Sequence, residues 1–168
     1  MRRPSSNALL LAAALAATSG VASARSSDRN APMNIEANTT TYNANSENTP
    51  TVLSGNVVIT QGTLKINAAR ADVYQSAGDI SRTVLSGSPV RMSQQMDDGT
   101  PLNTTSAKVD YDMKTETVIL TGGVVITQPR GSLHGERVVY NMRTGQVQSG
   151  GQGGGRVKMT IQPKTGAK

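Results

Sequence analysis

The sequence contains no cysteine, phenylalanine or tryptophan, and it has only one histidine and four tyrosines. Without cysteine, disulfide bonds, thiolate metal sites and cysteine nucleophiles are excluded. A core of this size normally uses aromatic rings as bulky filler, so we expect this one to consist of Val, Ile, Leu and Met. The shortage of rings also argues against a nucleic-acid surface, where bases stack on aromatic side chains.

The N-terminus has the layout of a secretory signal peptide. Arg2 and Arg3 precede an apolar run over residues 8–17, and Ala22-Ser23-Ala24 supplies small residues for cleavage. The run is shorter than the roughly 20 residues that span a bilayer. We therefore predict that residues 1–24 are removed on export, with cleavage after Ala24; a retained anchor or a disordered tail is the alternative.

The mature chain is then only mildly basic. Loss of Arg2 and Arg3 lowers the formal charge from +6 to +4. A charge of this size is ordinary for a small domain, so it identifies no particular partner.

One segment recurs along the chain. Residues 51–61 (TVLSGNVVITQ) are echoed by residues 117–128 (TVILTGGVVITQ), with weaker copies at 83–92 and 146–159. A tyrosine precedes each copy: Tyr42, Tyr74, Tyr111 and Tyr140. The repeated unit indicates a short strand ending in Tyr, a polar turn, a strand, a glycine and a further strand.

The residue types in this unit predict an all-β fold. Runs such as Val57-Val58-Ile59 are β-branched and suit a pleated sheet, and Leu64 and Ile66 alternate with polar residues as in a half-buried strand. Many short antiparallel strands indicate a sandwich, barrel or jelly roll. The recurring glycine marks either a bend inside a strand or a hairpin turn, and the sequence leaves both open.

These patterns divide the chain into four parts. After the signal peptide we expect a flexible segment over 25–31, a β domain over 32–162 and a flexible tail over 163–168. Within the domain, the glycine-rich residues 150–155 are expected to be a flexible link before a last strand at 156–162.

Catalytic chemistry has little support in the sequence. His134 is the single histidine, and Ser132 two residues away belongs to no nucleophile-elbow motif. Asp97-Asp98-Gly99 lacks the ligand spacing of a calcium loop. A glycan-active enzyme is therefore a weaker hypothesis than a structural β-repeat protein with a filled core.

Several stretches resemble the OstA-like family of periplasmic lipopolysaccharide-transport proteins. They are residues 32–36, 55–68, 98–101 and 118–122, of which the fourteen residues 55–68 are the most specific. The resemblance implies an open, twisted β-jelly roll with an apolar groove for the acyl chains of lipid A. It also implies a non-enzymatic role, without a cofactor, in outer-membrane assembly in Gram-negative bacteria.

The resemblance further implies partners and an assembly. Lipopolysaccharide would be received from an LptC-like inner-membrane partner and delivered to an LptD-like outer-membrane translocon. The first strand (34–37) and the last (156–162) are candidate open edges, where copies could join head to tail by adding strand to strand. Repetition of that contact gives an open filament.

The resemblance places Met33 and Ile35 near the N-terminal end of the groove, Met92 where the family has an interior aromatic residue, and Tyr111 in the interior. The full predicted groove lining is Met33, Ile35, Val57, Ile59, Ile66, Met92, Val109, Tyr111, Leu120 and Ile126. Cations at the rims are candidate phosphate contacts: Lys65, Arg70 and Arg91, with Lys108 and Arg137 beside them. The alternative is that the aliphatic residues are simple core and the cations are solvated.

Overall fold

The computed structural model describes residues 28, 31–43, 49–144, 146–150 and 155–163. The predicted signal peptide, most of the predicted flexible segment 25–31, most of the glycine-rich link and residues 164–168 of the predicted tail lie outside the described residues. Within the described ranges, there is no helix with the length and apolar character that crossing a membrane requires.

In the described part of the chain, ten β-strands form one antiparallel sheet, which confirms the prediction of an all-β fold. The strands are β1 (Met33–Glu36), β2 (Thr39–Thr41), β3 (Thr51–Gln61), β4 (Leu64–Ser76), β5 (Asp79–Gln95), β6 (Pro101–Asp112), β7 (Thr117–Gln128), β8 (Gly131–Asn141), β9 (Gln146–Ser149) and β10 (Lys158–Ile161).

The six long strands β3 to β8 form a meander in chain order, and short strands cover both of its edges. At one edge β1 pairs with the C-terminal part of β3 and β2 pairs with its N-terminal part. At the other edge β10 pairs with the N-terminal part of β8 and β9 pairs with its C-terminal part. Each edge is therefore one strand position divided between two short strands.

Each of the five neighbouring pairs of long strands has an irregularity in its pairing, and these irregularities follow one another across the sheet. The register shifts lie between Ser54 and Val57, Asn67 and Arg70, Ser86 and Val90, Thr105 and Lys108, and Thr121 and Val124. Gly55, Gly87 and Gly122 thus mark bends inside strands, whereas Gly150 of the fourth copy follows the end of β9. The bends fold the sheet into two facing halves: the β1 half, which carries β1 and β10, and the β2 half, which carries β2 and β9.

Two of the glycines at the bends have a backbone that other residues rarely adopt. Gly55 has φ of +76° and Gly122 has φ of +80°. A Cβ at Gly55 would lie 2.8 Å from the Nδ2 atom of Asn38, and one at Gly122 would lie 2.6 Å from the Cβ of Ala107. Both the conformation and the close approach therefore require glycine.

The side chains next to the bend fill the crease between the two halves. Val57, Val90 and Val124 are at most 1% exposed. Ser106 is also buried there, and its hydroxyl donates a hydrogen bond to the carbonyl oxygen of Lys108 at 3.1 Å. The crease is thus a closed, close-packed core on one side of the folded sheet.

The four tyrosines do not occupy equivalent positions, although they are equivalent in the sequence repeat. Tyr111 lies opposite Thr83, which in turn lies opposite Val73, so Val73 takes the place expected for Tyr74. Tyr74 instead packs near Arg82, whose guanidinium lies 5.7 Å from the ring centre. A second irregularity in the pairing of β4 with β5 follows directly after Tyr74.

Candidate functional site

An apolar groove of about 610 Å³ lies between the two halves of the sheet. Its volume is within the range of ligand-binding cavities, roughly 300–1,000 Å³. Side chains from nine of the ten strands line it; β2 is the exception.

Two rows of inward-facing side chains give the groove its walls. In the β1 half, each residue of one row is the Cα partner of the next: Ile35, Ile59, Ile66, Met92, Thr104, Ile126, Leu133 and Met159. In the β2 half, the corresponding row is Val73, Thr83, Tyr111, Val118, Tyr140 and Val147. Because the first row begins on β1 and ends on β10, the groove extends from one edge of the sheet to the other.

Nine of the ten residues predicted from the sequence are brought together in this groove. The exception is Val57, which is 1% exposed and lies in the crease. It faces the same side of the sheet as Ile59, but its position next to the bend leaves no open space in front of it.

Methionine was the signal that sequence reasoning missed. Six of the seven methionines line the groove, and only Met33 and Met92 were predicted to do so. The others are Met96, Met113, Met142 and Met159. Methionine is flexible and fills irregular apolar spaces, so its enrichment in a chain without Phe or Trp pointed to an adaptable wall.

The cations predicted at the groove rims lie elsewhere. Lys65 and Arg91 directly neighbour the groove-lining Ile66 and Met92, so strand alternation turns both cations to the outer face, where they are exposed. Arg70 is also exposed, and its guanidinium pairs with Asp72 at 2.7 Å. Among the described residues, the cation that does line the groove is Arg130, in the turn between β7 and β8.

Comparison with known proteins identifies the family. A family model described as "LptA/(LptD N-terminal domain) LPS transport protein" matches residues 34–146. The chain belongs to this family.

Two proteins named LptA align with almost the whole chain. The chain is 30% identical to the lipopolysaccharide export system protein LptA of Haemophilus influenzae over 161 residues, which cover 94% of this chain and 92% of that protein. It is 29% identical to LptA of Escherichia coli K12 over 157 residues, covering 92% and 84% of the two chains.

A solved structure of a related protein has the same fold. The crystal structure of LptH from Pseudomonas aeruginosa superposes with a TM-score of 0.71 at 23% sequence identity, covering 82% of this chain and 99% of that one. The match confirms the prediction of an open β-jelly roll.

In this member of the LptA/LptD N-terminal family, the chain before β1 covers one end of the groove. Asp28 is buried and lines the groove, and its carboxylate accepts a hydrogen bond from the hydroxyl of Thr63. The side-chain amide of Gln61 donates to the carbonyl oxygen of Ala31 at 3.1 Å. These contacts fix the start of β1 against the turn between β3 and β4.

Of the two groups considered for catalysis, Ser132 lines the groove and His134 does not. His134 is exposed, and it neighbours the groove-lining Leu133, so it lies on the outer face. Among the residues that the structure describes, no three His, Cys, Asp or Glu side chains are grouped as a metal site.

Proposed function

We propose that the protein is a lipopolysaccharide carrier that holds the acyl chains in its groove while the sugars remain in water. The observation that carries this proposal is the continuous inward-facing row from Ile35 on β1 to Met159 on β10, which is apolar at every position except Thr104. A wall that reaches both edges provides a path along the molecule. The matched relatives are named as lipopolysaccharide export proteins, which agrees with a transport role.

The chemistry of the wall suits alkyl chains. Each methylene group transferred from water to an apolar site contributes about 0.8 kcal/mol. Aliphatic and methionine side chains offer such a site without demanding a single ligand shape. A structural β-repeat protein, the alternative predicted from the sequence, would fill the space between its two halves, whereas this protein leaves about 610 Å³ open.

We infer that copies of the protein join edge to edge. Among the described residues, the exposed large apolar side chains all lie at the two edges of the sheet: Met33, Tyr42, Val147, Val157, Met159 and Ile161. The main path of the sheet contains eight strands, so β10 runs antiparallel to β1. A second copy in the same orientation could therefore place its β1 beside β10 and continue the antiparallel meander.

The same edges are suited to the two membrane partners. The N-terminal domain of LptD belongs to the family that this chain matches, so an LptD-like translocon would present an equivalent sheet edge. An LptC-like inner-membrane partner would occupy the opposite edge. In this arrangement the protein acts in the periplasm after removal of residues 1–24, and its role is transport without a catalytic step or a cofactor.

Site-specific photo-cross-linking in cells tests the groove. Photoreactive residues at Met33, Met92 and Tyr111 are expected to capture lipopolysaccharide. The same residue at Lys65 or Arg91, on the outer face, is the control and is expected to capture little. Capture from the outer positions alone would contradict the proposal.

A further inference from the structure

Three glutamines form a polar lip along the open side of the groove. Gln61, Gln94 and Gln128 each line the groove, and each lies two residues beyond a member of the inward row of the β1 half. That common offset places all three on the same face and at the same distance from the bend. We call these three residues the amide lip.

The opposite side of the opening is different in chemistry. In the β2 half, the groove-lining residues in or beside the turns include Ile80, Met113 and Met142. One lip therefore offers amide donors and acceptors, whereas the groove-lining residues described at the other lip are apolar. The crease is closed by buried valines, so a polar group attached to a bound alkyl chain would leave the groove between these two lips.

Two of the three glutamines have hydrogen-bonding capacity to spare. Gln61 is engaged with the carbonyl oxygen of Ala31. The side chains of Gln94 and Gln128 make no hydrogen bond to another described residue. They lie on β5 and β7, on either side of β6, so about 10 Å separates their strands.

We propose that Gln94 and Gln128 bind the ester and amide linkages that join the acyl chains to the sugar of the lipid. A carboxamide donates two hydrogen bonds through its nitrogen and accepts through its oxygen. It therefore matches acyl carbonyl oxygens, linkage N–H groups and chain hydroxyls. Phosphate is a poorer match, because anions are held by cations, and Arg130 is the one cation among the groove-lining residues described.

This inference rests on the proposed carrier function and deepens it. Apolar walls hold alkyl chains without fixing how deeply they enter, because hydrophobic burial is non-directional. Hydrogen bonds at one lip would set the depth and hold the sugar on that side. The amide lip thus selects acylated polar lipids over plain hydrocarbons.

The test compares two ligands with two double variants. Gln94→Leu with Gln128→Leu removes the amides at nearly constant size. The matched control is Gln95→Leu with Thr127→Leu, which changes exposed neighbours on the outer face of the same two strands. Binding of purified lipopolysaccharide and of diphenylhexatriene, a pure hydrocarbon, is measured by fluorescence.

The lip variant is expected to bind lipopolysaccharide roughly tenfold more weakly than wild type, since two hydrogen bonds are lost. Its affinity for diphenylhexatriene and all affinities of the control variant should remain unchanged. The inference would be overturned if the lip variant bound lipopolysaccharide as tightly as wild type, or if it lost the same factor in affinity for both ligands. Either result would leave the carrier function standing. Failure of the wild type itself to bind lipopolysaccharide would overturn both.

Discussion

Ile35 on β1 and Met159 on β10 lie on one inward-facing row of the sheet, at its two opposite edges. Each residue between them is the Cα partner of the next, through all eight strands of the main path. A second copy stacked on either edge would lengthen this row. The apolar wall of the groove and the surface for self-association are thus parts of the same pattern.

The edge strand β10 provides a first prediction. Met159 and Ile161 are 60% and 72% exposed. Changing both to lysine should weaken self-association at least tenfold, because stacking would then bury charge without a partner. Sedimentation velocity over a range of protein concentrations measures the effect. Val125→Lys, at a position on β7 that does not line the groove, is the control, and an unchanged oligomer in the double variant would exclude this edge.

Substitutions at Ile126, which lines the groove, and at its neighbour Val125, which does not, provide a matched test of the groove. Ile126→Glu introduces a carboxylate into the apolar wall, whereas Val125→Glu places the same group on the outer face. We expect the first to reduce lipopolysaccharide binding by more than tenfold and the second to change it little, since alkyl chains cannot solvate a charge. Circular dichroism checks that both variants are folded. Similar binding by both would mean that the ligand lies outside the groove.

The crease is expected to determine stability. Val124 is 1% exposed, so Val124→Ala leaves a cavity and should lower the free energy of unfolding by about 2 kcal/mol. Val125→Ala on the outer face should cost about 0.5 kcal/mol or less. Urea denaturation of dilute protein measures the difference, and equal costs would indicate that the crease is not close-packed.

Substitutions at Gly122 and Gly123 distinguish the cost of backbone strain from the cost of a steric clash. Both have positive φ, but a Cβ at Gly123 meets open space, whereas one at Gly122 meets Ala107. Gly123→Ala should cost about 1 kcal/mol from backbone strain alone, and Gly122→Ala about 2–3 kcal/mol. Adding Ala107→Gly to Gly122→Ala should recover the steric part. No recovery in urea denaturation would place the cost elsewhere.

The ion pair between Arg82 and Asp110 predicts a dependence on pH. Arg82 donates to both carboxylate oxygens of Asp110, one bond being 2.7 Å, and these bonds lower the pKa of the Asp110 carboxyl. A lowered folded pKa stabilises the fold above the unfolded pKa of about 3.9, and the stabilisation is lost as pH falls through the folded value.

Because the Arg82 side chain is half exposed, we expect Arg82→Met to cost at most about 1 kcal/mol near pH 7. This loss in the free energy of unfolding should decrease as the Asp110 carboxylate is protonated. Any loss that remains at low pH would reflect the contact between Arg82 and Tyr74. Urea denaturation from near pH 7 down through the pH at which Asp110 is protonated measures the free energy of unfolding of both proteins, with Lys65→Met as control. A cost that is independent of pH would contradict the assignment.

The extent to which the sequence predicts the site differs between residues. Nine predicted groove residues line the groove, because apolar residues at period two must share one face of a sheet with one apolar side. The amide lip was not predicted, since glutamines near strand ends are indistinguishable from solvated turn residues. Lys65, Arg70 and Arg91 were placed at the rims on charge alone, and charge does not state which face a strand residue occupies.

The sequence by itself determined the all-β class, the repeated bent strand, the aliphatic and methionine composition of the interior and the family. Only the tertiary structure decided which side chains face the groove. Ala68 and Ala71, three residues apart, are both buried, as are Leu85 and Val90, five apart, although strict alternation would turn one of each pair outward. Each bulge inserts residues that reset the alternation, and its effect is fixed by pairing with the neighbouring strand, which a local pattern does not contain.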